Sequence, residues 1–333
     1  MLKKIFRHLP EFISFFFIFN PLIAFRLFVV PLFSFKKSKY EQFAYKHKSI
    51  LNYLKRKYFK LISTFKERQN TADPALSKNY PIWTIWWQGA ENMPAIVSRC
   101  YQTLLHFSNN HNVTLITKEN YMNYVHLPEY IIKKAERKKI SVTHLSDIIR
   151  VCLLYEHGGL WLDSTVLLTR SLAELPESCF KYGFWTPKDD GKILEKCFGA
   201  ENWIVREGRW LTFCFYMSKN NILAEYVRDL FFNYVKKYNL FIDYFLFDYF
   251  ISIAYDTNAD VRAMIDSVPS NNPKIHEILH RLNLNSEYDK TLFDEICEFN
   301  IFHKLNWKED FCEYTKDNKL TNYGYIINNF PPK

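Results

Sequence analysis

Acidic side chains are almost missing from the first 60 residues. Glu11 and Glu41 stand there against 13 Lys and Arg, a net of +11. The 333-residue chain carries +9 in all, so residues 61–333 carry −2. A near-neutral body argues against a nucleic-acid-binding domain, which needs basic charge on its own surface. The seven cysteines form no Cys-x-x-Cys pair and no cluster at metal-ligand spacing. That argues against a structural zinc and a disulfide framework, and points to buried, reduced thiols. No internal repeat occurs. The N-terminal apolar stretch has no small-residue cleavage site and is too long for a signal peptide.

Aromatic residues are what the chain has in excess: 18% of it, with 30 Phe and 22 Tyr. Many fall in residues 9–35, LPEFISFFFIFNPLIAFRLFVVPLFSF. Glu11, Asn20, Pro21, Arg26 and Pro31 interrupt this stretch. A spanning helix wants about 20 predominantly apolar residues, and a proline and an arginine near its middle are costly there. The pattern suits one or two short segments lying in the membrane interface, with the basic run from Lys36 to Lys60 facing anionic headgroups. The expected location is the cytoplasmic face of the cell membrane, held peripherally, or the cytoplasm. The same phenylalanines also suit packing on the protein's own core.

Residues 40–69 lack Gly and Pro and place apolar side chains near a 3.6-residue period, which predicts an amphipathic helix. Gln69–Pro81 reads as a linker around Asp73–Pro74. This divides the chain into a basic, apolar N-terminal segment (1–75), a main domain (80–315) and a C-terminal tail (316–333). Within the main domain, strands are expected at Ile82–Trp87, Val113–Thr117 and Leu160–Leu168. Helices are expected at Ala95–Phe107, Lys118–Tyr124, Pro128–Lys138 and His144–Glu156. This order implies an α/β fold, a mostly parallel sheet with helices on its faces and ligands at the carboxyl ends of its strands. Further on, strands are expected at Tyr182–Pro187, Cys197–Val205 and Ile301–Leu305. The helices there are expected at Trp210–Tyr216, Ala224–Tyr238, Asp243–Tyr255 and Ile275–Leu282.

The most informative stretch is SDIIRVCLLYEHGGLWLDSTVLLT, Ser146–Thr169. Asp147 and Arg150 lie three apart on one helical face. Two glycines end that helix, and a strand then delivers Asp163 at its carboxyl end. Two acids and an arginine in one cleft suit a polyhydroxylated, phosphorylated ligand, because carboxylates accept from sugar hydroxyls and arginine contacts phosphate. The same spacing also suits a helix-capping Asp147 paired with Arg150, with Asp163 starting a turn.

The pattern SDxxRxxxLYxxGGxWxDxT resembles the DXD-containing sugar transferases, and especially their capsular polysaccharide synthesis branch. IWTIWWQG (Ile82–Gly89), DYFLFDYFISIAYD (Asp243–Asp256), VPSNNP and HKLNWK (His303–Lys308) resemble further segments of that branch, in the same order. The resemblance spans about residues 80–310. It implies a GT-A type, Rossmann-like fold, with a helical N-terminal extension and a helical C-terminal part.

By the same resemblance, Trp86 stacks on the donor nucleobase, unless it is a core tryptophan, and Trp87 alternates to the other face. Asp147 and Arg150 hold the donor sugar. Asp163 contacts ribose and metal-bound diphosphate, with Thr165 standing where a full DXD has its second Asp. His303 and Lys304 approach the diphosphate, unless they are surface strand residues. Asp248 faces the acceptor, or is a buried or capping acid. Asp147, Arg150 and Asp163 are the expected catalytic set. The implied cofactor is a divalent cation, Mn²⁺ or Mg²⁺, held through Asp163, although a threonine is a weaker ligand than a carboxylate.

The implied reaction is glycosyl transfer from a nucleotide-sugar to a saccharide or lipid-linked saccharide acceptor at a membrane surface, with retained anomeric configuration. A sugar-phosphate or nucleotidyl transferase, and a non-catalytic scaffold of a polysaccharide assembly complex, are the alternatives.

Overall fold

A computed structural model of the chain describes residues 2–33, 39–72, 80–188, 209–271 and 275–331. The architecture is α/β. Five strands form one sheet in the order β2-β1-β3-β6-β5. These are β1 (Ile82–Ile85), β2 (Val113–Ile116), β3 (Gly159–Leu162), β5 (Phe184–Trp185) and β6 (Cys214–Met217). β1 pairs in parallel with β2 and β3, whereas β6 is antiparallel to both β3 and β5. Four strands therefore share one direction and β6 opposes them. A separate two-stranded antiparallel sheet joins β4 (Val166–Leu168) to β7 (Phe302–Lys304), pairing Val166 with Lys304.

Helix Val142–His157 contacts β1, β3 and β6 and packs in turn against helix Ile222–Lys237. Ser141 starts it: its side chain accepts a hydrogen bond from the His144 amide, 3.2 Å away. Gly158 (φ 71°) stops it. Gly159 (φ 110°) then enters the sheet so close to β1 that a Cβ would lie 2.2 Å from the Pro81 carbonyl oxygen. Only glycine permits both this backbone and this approach.

Leu160–Leu168 is not one strand: it breaks after Leu162, and the Val166 amide donates back to the Asp163 carbonyl over 2.9 Å. Asp-Ser-Thr is turn chemistry. The break leaves Asp163 at the carboxyl end of β3 and sends β4 into the second sheet. Trp210–Tyr216 is not a helix: Cys214–Met217 is β6, buried at every position. A short apolar, aromatic run has no period that separates strand from helix. The expected helix over 40–69 is two, Lys39–Lys57 and Phe59–Lys66, divided at the buried Tyr58. The expected strand at Cys197–Val205 lies outside the described residues. Helices Ala259–Asp266, Lys290–Phe299 and Asn322–Asn329 complete the C-terminal part.

The N-terminal helices pack on helix Leu246–Thr257. Ile50, Leu54, Ile62 and Phe65 belong to the same buried apolar cluster as the central strands. Phe65 stacks on Tyr226 at 4.3 Å, and His47 Nδ1 lies 2.6 Å from the Tyr249 hydroxyl. The first helix, Leu2–Ile18, buries Phe15 but leaves Ile13, Phe16 and Phe17 in solvent. Among the described residues no helix is long and apolar enough to cross a membrane.

Candidate functional site

A cleft of about 620 Å³ opens at the carboxyl ends of β1 and β3. That is within the usual range for small-molecule sites. Trp86, Asp147, Arg150, Asp163, Thr165, Asp248 and Lys304 all line it, brought there from five separate segments.

Arg150 is its organising group. Its Nη2 lies 3.3 Å from Asp147 and 3.2 Å from Asp163, and its Nη1 donates to the Thr212 carbonyl. The guanidinium rests over the Trp161 ring at 4.6 Å and near that of Phe247 at 5.3 Å. Flat aromatic walls and two carboxylates fix a planar cation in one orientation. Helical spacing puts Asp147 beside Arg150, and the turn after β3 brings Asp163 to both.

Asp163 carries the second cation. Its Oδ2 accepts from Lys304 Nζ over 2.9 Å, and the same ammonium donates to Thr165 Oγ1 over 2.8 Å. The pairing of β4 with β7 makes this contact possible. Burial works against the Asp163 carboxylate, yet Lys304, Arg150 and the Trp161 N–H outweigh it and hold its pKa below the ordinary value. Asp147 goes the other way. Burial pushes its carboxyl up to about 7, reinforced by Asp163 and Asp248 and opposed by Arg150.

The fit of a divalent cation follows from the same contacts. Among the described residues no three His, Cys, Asp or Glu converge on a metal site. Asp163 Oδ1 accepts from Trp161 Nε1 at 2.9 Å and faces Arg150, while Oδ2 is bound to Lys304. A metal ion at Oδ2 would lie against an ammonium group, which is strongly repulsive in a partly buried site. As arranged, the donor set fits the lysine cation and not a resident divalent metal.

His303 is not brought to the cleft. Alternation along β7 turns it inward, fully buried, with Nε2 3.1 Å from Thr169 Oγ1. Burial pushes its pKa down to about 3, so the ring is neutral. Asp248 is buried at the cleft wall and accepts from Trp210 Nε1 over 3.0 Å. Trp86 is half-buried and meets Trp307 edge to face at 5.5 Å; Trp87 leans on Tyr121 at 5.3 Å.

Sequence reasoning missed Trp307, Tyr244 and Phe247, all of which line the cleft. Each lies inside a segment singled out above: Trp307 three residues after Lys304, and Tyr244 and Phe247 beside Asp248. Aromatics beside charged residues, in segments otherwise suited to contact a ligand, were the available signal.

A family model described as "Capsular polysaccharide synthesis protein" matches residues 31–324. No curated protein matches the chain.

Proposed function

The chain belongs to the capsular polysaccharide synthesis protein family, and on that footing we propose that it is a glycosyltransferase of GT-A type. It moves a sugar from a nucleotide-sugar donor to a saccharide or lipid-linked acceptor at the cytoplasmic face of the membrane, during capsule or other surface polysaccharide synthesis. The observation that carries this reading is the Arg150–Asp163–Lys304 chain of contacts at the carboxyl end of the central strand, beside the exposed Trp307. A diphosphate entering there meets Lys304 and Arg150 together. Trp86 and Trp307 offer ring surface to a base. Asp147 and Asp248 offer acceptors to sugar hydroxyls.

In the transfer step, the bond between the anomeric carbon and the diphosphate oxygen breaks. A new bond forms to an acceptor hydroxyl oxygen on the same face, and the hydroxyl proton leaves to the departing diphosphate. Negative charge grows on that diphosphate, and Lys304 and Arg150 stabilise it. Lys304 supplies the positive charge expected of a divalent cation, so no step requires one.

The test is a panel of nucleotide-sugars with a membrane extract as acceptor, read as released nucleoside diphosphate. Lys304→Met should lower kcat by about 10²–10³, the usual cost of one transition-state donor. Excess chelator should leave the wild type unchanged. Activity of Asp163→Ala within a few-fold of wild type would refute the site, release of nucleoside monophosphate or pyrophosphate would refute the reaction, and abolition by chelator would refute the role given to Lys304.

A further inference from the structure

A second cavity, of about 260 Å³, lies away from the cleft between the segment that follows the first helix and helix Lys39–Lys57. Arg26, Arg56 and Lys57 line it, with Ser49 and Tyr53 between them. Among the described residues no carboxylate lines it. Two other cations on the same helix are neutralised: Lys46 pairs with Asp243 and Lys55 with Asp256, each at 2.6 Å. Among the described residues no acid pairs with Arg26, Arg56 or Lys57. Lys57 instead lies against Lys237, whose ammonium is the foremost cause of its lowered pKa. Two like charges held together without a counter-ion favour an anion between or beside them.

Leu22 lines this cavity and is 51% exposed, and in the flanking sequence Phe25 is equally exposed and Phe17, on the first helix, is 80% exposed. A free inorganic ion would use the cations and nothing else. A phosphate carried on an acyl or prenyl chain would use both features, with its oxygens on the two guanidinium groups and its tail along the exposed Leu22 and Phe25.

We propose that this cavity is a binding site for the phosphate of a single membrane lipid, a headgroup socket distinct from diffuse attraction to an anionic surface. This rests on the membrane-surface reading above and gives it a specific place. Three cations converging on one cavity recognise a phosphate by geometry as well as by charge. A basic run spread over a helix surface recognises charge alone.

The test uses the full chain and vesicles of phosphatidylcholine with or without one-fifth phosphatidic acid, read by co-flotation. Two triple variants carry equal charge loss. One is Arg26→Gln, Arg56→Gln, Lys57→Gln in the cavity, and the other is Lys48→Gln, Lys60→Gln, Lys66→Gln outside it. The expected result is binding to the acidic vesicles by wild type, weakened at least tenfold more by the cavity variant than by the control. Both variants should keep the wild-type melting temperature and nucleotide-sugar turnover in detergent. Equal weakening by the two variants overturns the socket and leaves the membrane reading standing. No binding of wild type to either vesicle overturns the membrane reading and the socket with it. Binding of glycerol 3-phosphate, without vesicles, as tightly as the acidic vesicles overturns the assignment to a lipid.

Discussion

Asp147 should make the protein less stable than it would be with a neutral side chain, and the size of that cost should depend on pH. The residue is buried, 8% exposed, and burial raises its carboxyl from 3.8 to about 7. A group whose pKa is raised by folding favours the fold in its protonated form. Its contribution is therefore fully present below about pH 4 and is lost as pH rises through about 7. A tenfold change in proton affinity is worth about 1.4 kcal/mol, so the rise to about 7 sets a ceiling of roughly 4 kcal/mol. Asp147→Asn keeps the shape and does not titrate. The variant should be about 2–4 kcal/mol more stable than wild type at pH 8, and the gap should close towards pH 4.

The measurement is the urea midpoint of both proteins across that range. His303 titrates with the opposite sign: its pKa is lowered, so its contribution is present above about 6.5 and lost as pH falls. It is common to both proteins and cancels in their difference. A gap that stays constant, or that shrinks as pH rises, would refute the burial argument. Transfer by the same variant should be lost, so the carboxylate would be kept for the reaction at the expense of stability.

Gly159→Ala should cost more than about 3 kcal/mol, because the new Cβ meets the Pro81 carbonyl at 2.2 Å and the backbone stands at φ 110°. A thermal melt within two degrees of wild type would show that the contact between β1 and β3 is not as close as described. Trp307→Ala should raise the donor KM by roughly 5–150-fold with kcat little changed, as expected for a lost base-stacking surface of about 1–3 kcal/mol. A fall in kcat at unchanged KM would assign the ring to the chemical step instead.

The central motif was legible because its chemistry is local. The two glycines end the helix that carries Asp147 and Arg150 as expected, although it starts at Val142 and not at His144, and helix Ala95–Phe107 appears at its expected bounds. Asp163 was readable as a strand-end acid. A turn starting there stood only as an alternative, because LWLDSTVLL is apolar on both sides of it and reads as one strand. β6 was misread for a related reason: a strand buried on both faces shows no alternation. The position of His303 depended on register. In β7 a shift of one residue exchanges the faces, and only the pairing of Leu167 with His303 and Val166 with Lys304 decides which side chain reaches Asp163. The contact between Lys304 and Asp163 spans 141 residues of sequence, a distance over which no local pattern carries information.

The uneven charge of the chain has two structural meanings. Part of the basic excess docks the N-terminal helices onto the body: Lys46 on Asp243, Lys55 on Asp256 and Arg68 on Glu225. Three further cations, Arg26, Arg56 and Lys57, line the small cavity, beside the exposed Leu22. Helix Leu246–Thr257 links these N-terminal helices to the cleft. Phe247 and Asp248 line the cleft, while Tyr249, the next residue, meets His47 on the N-terminal side at 2.6 Å. The N-terminal helices and the cleft are thus tied to one helix through consecutive residues. On the proposed reading of a lipid-linked acceptor, that linkage would hold the cleft at a set height above the bilayer. An acceptor of fixed reach would then meet the donor without any search beyond diffusion in the membrane plane.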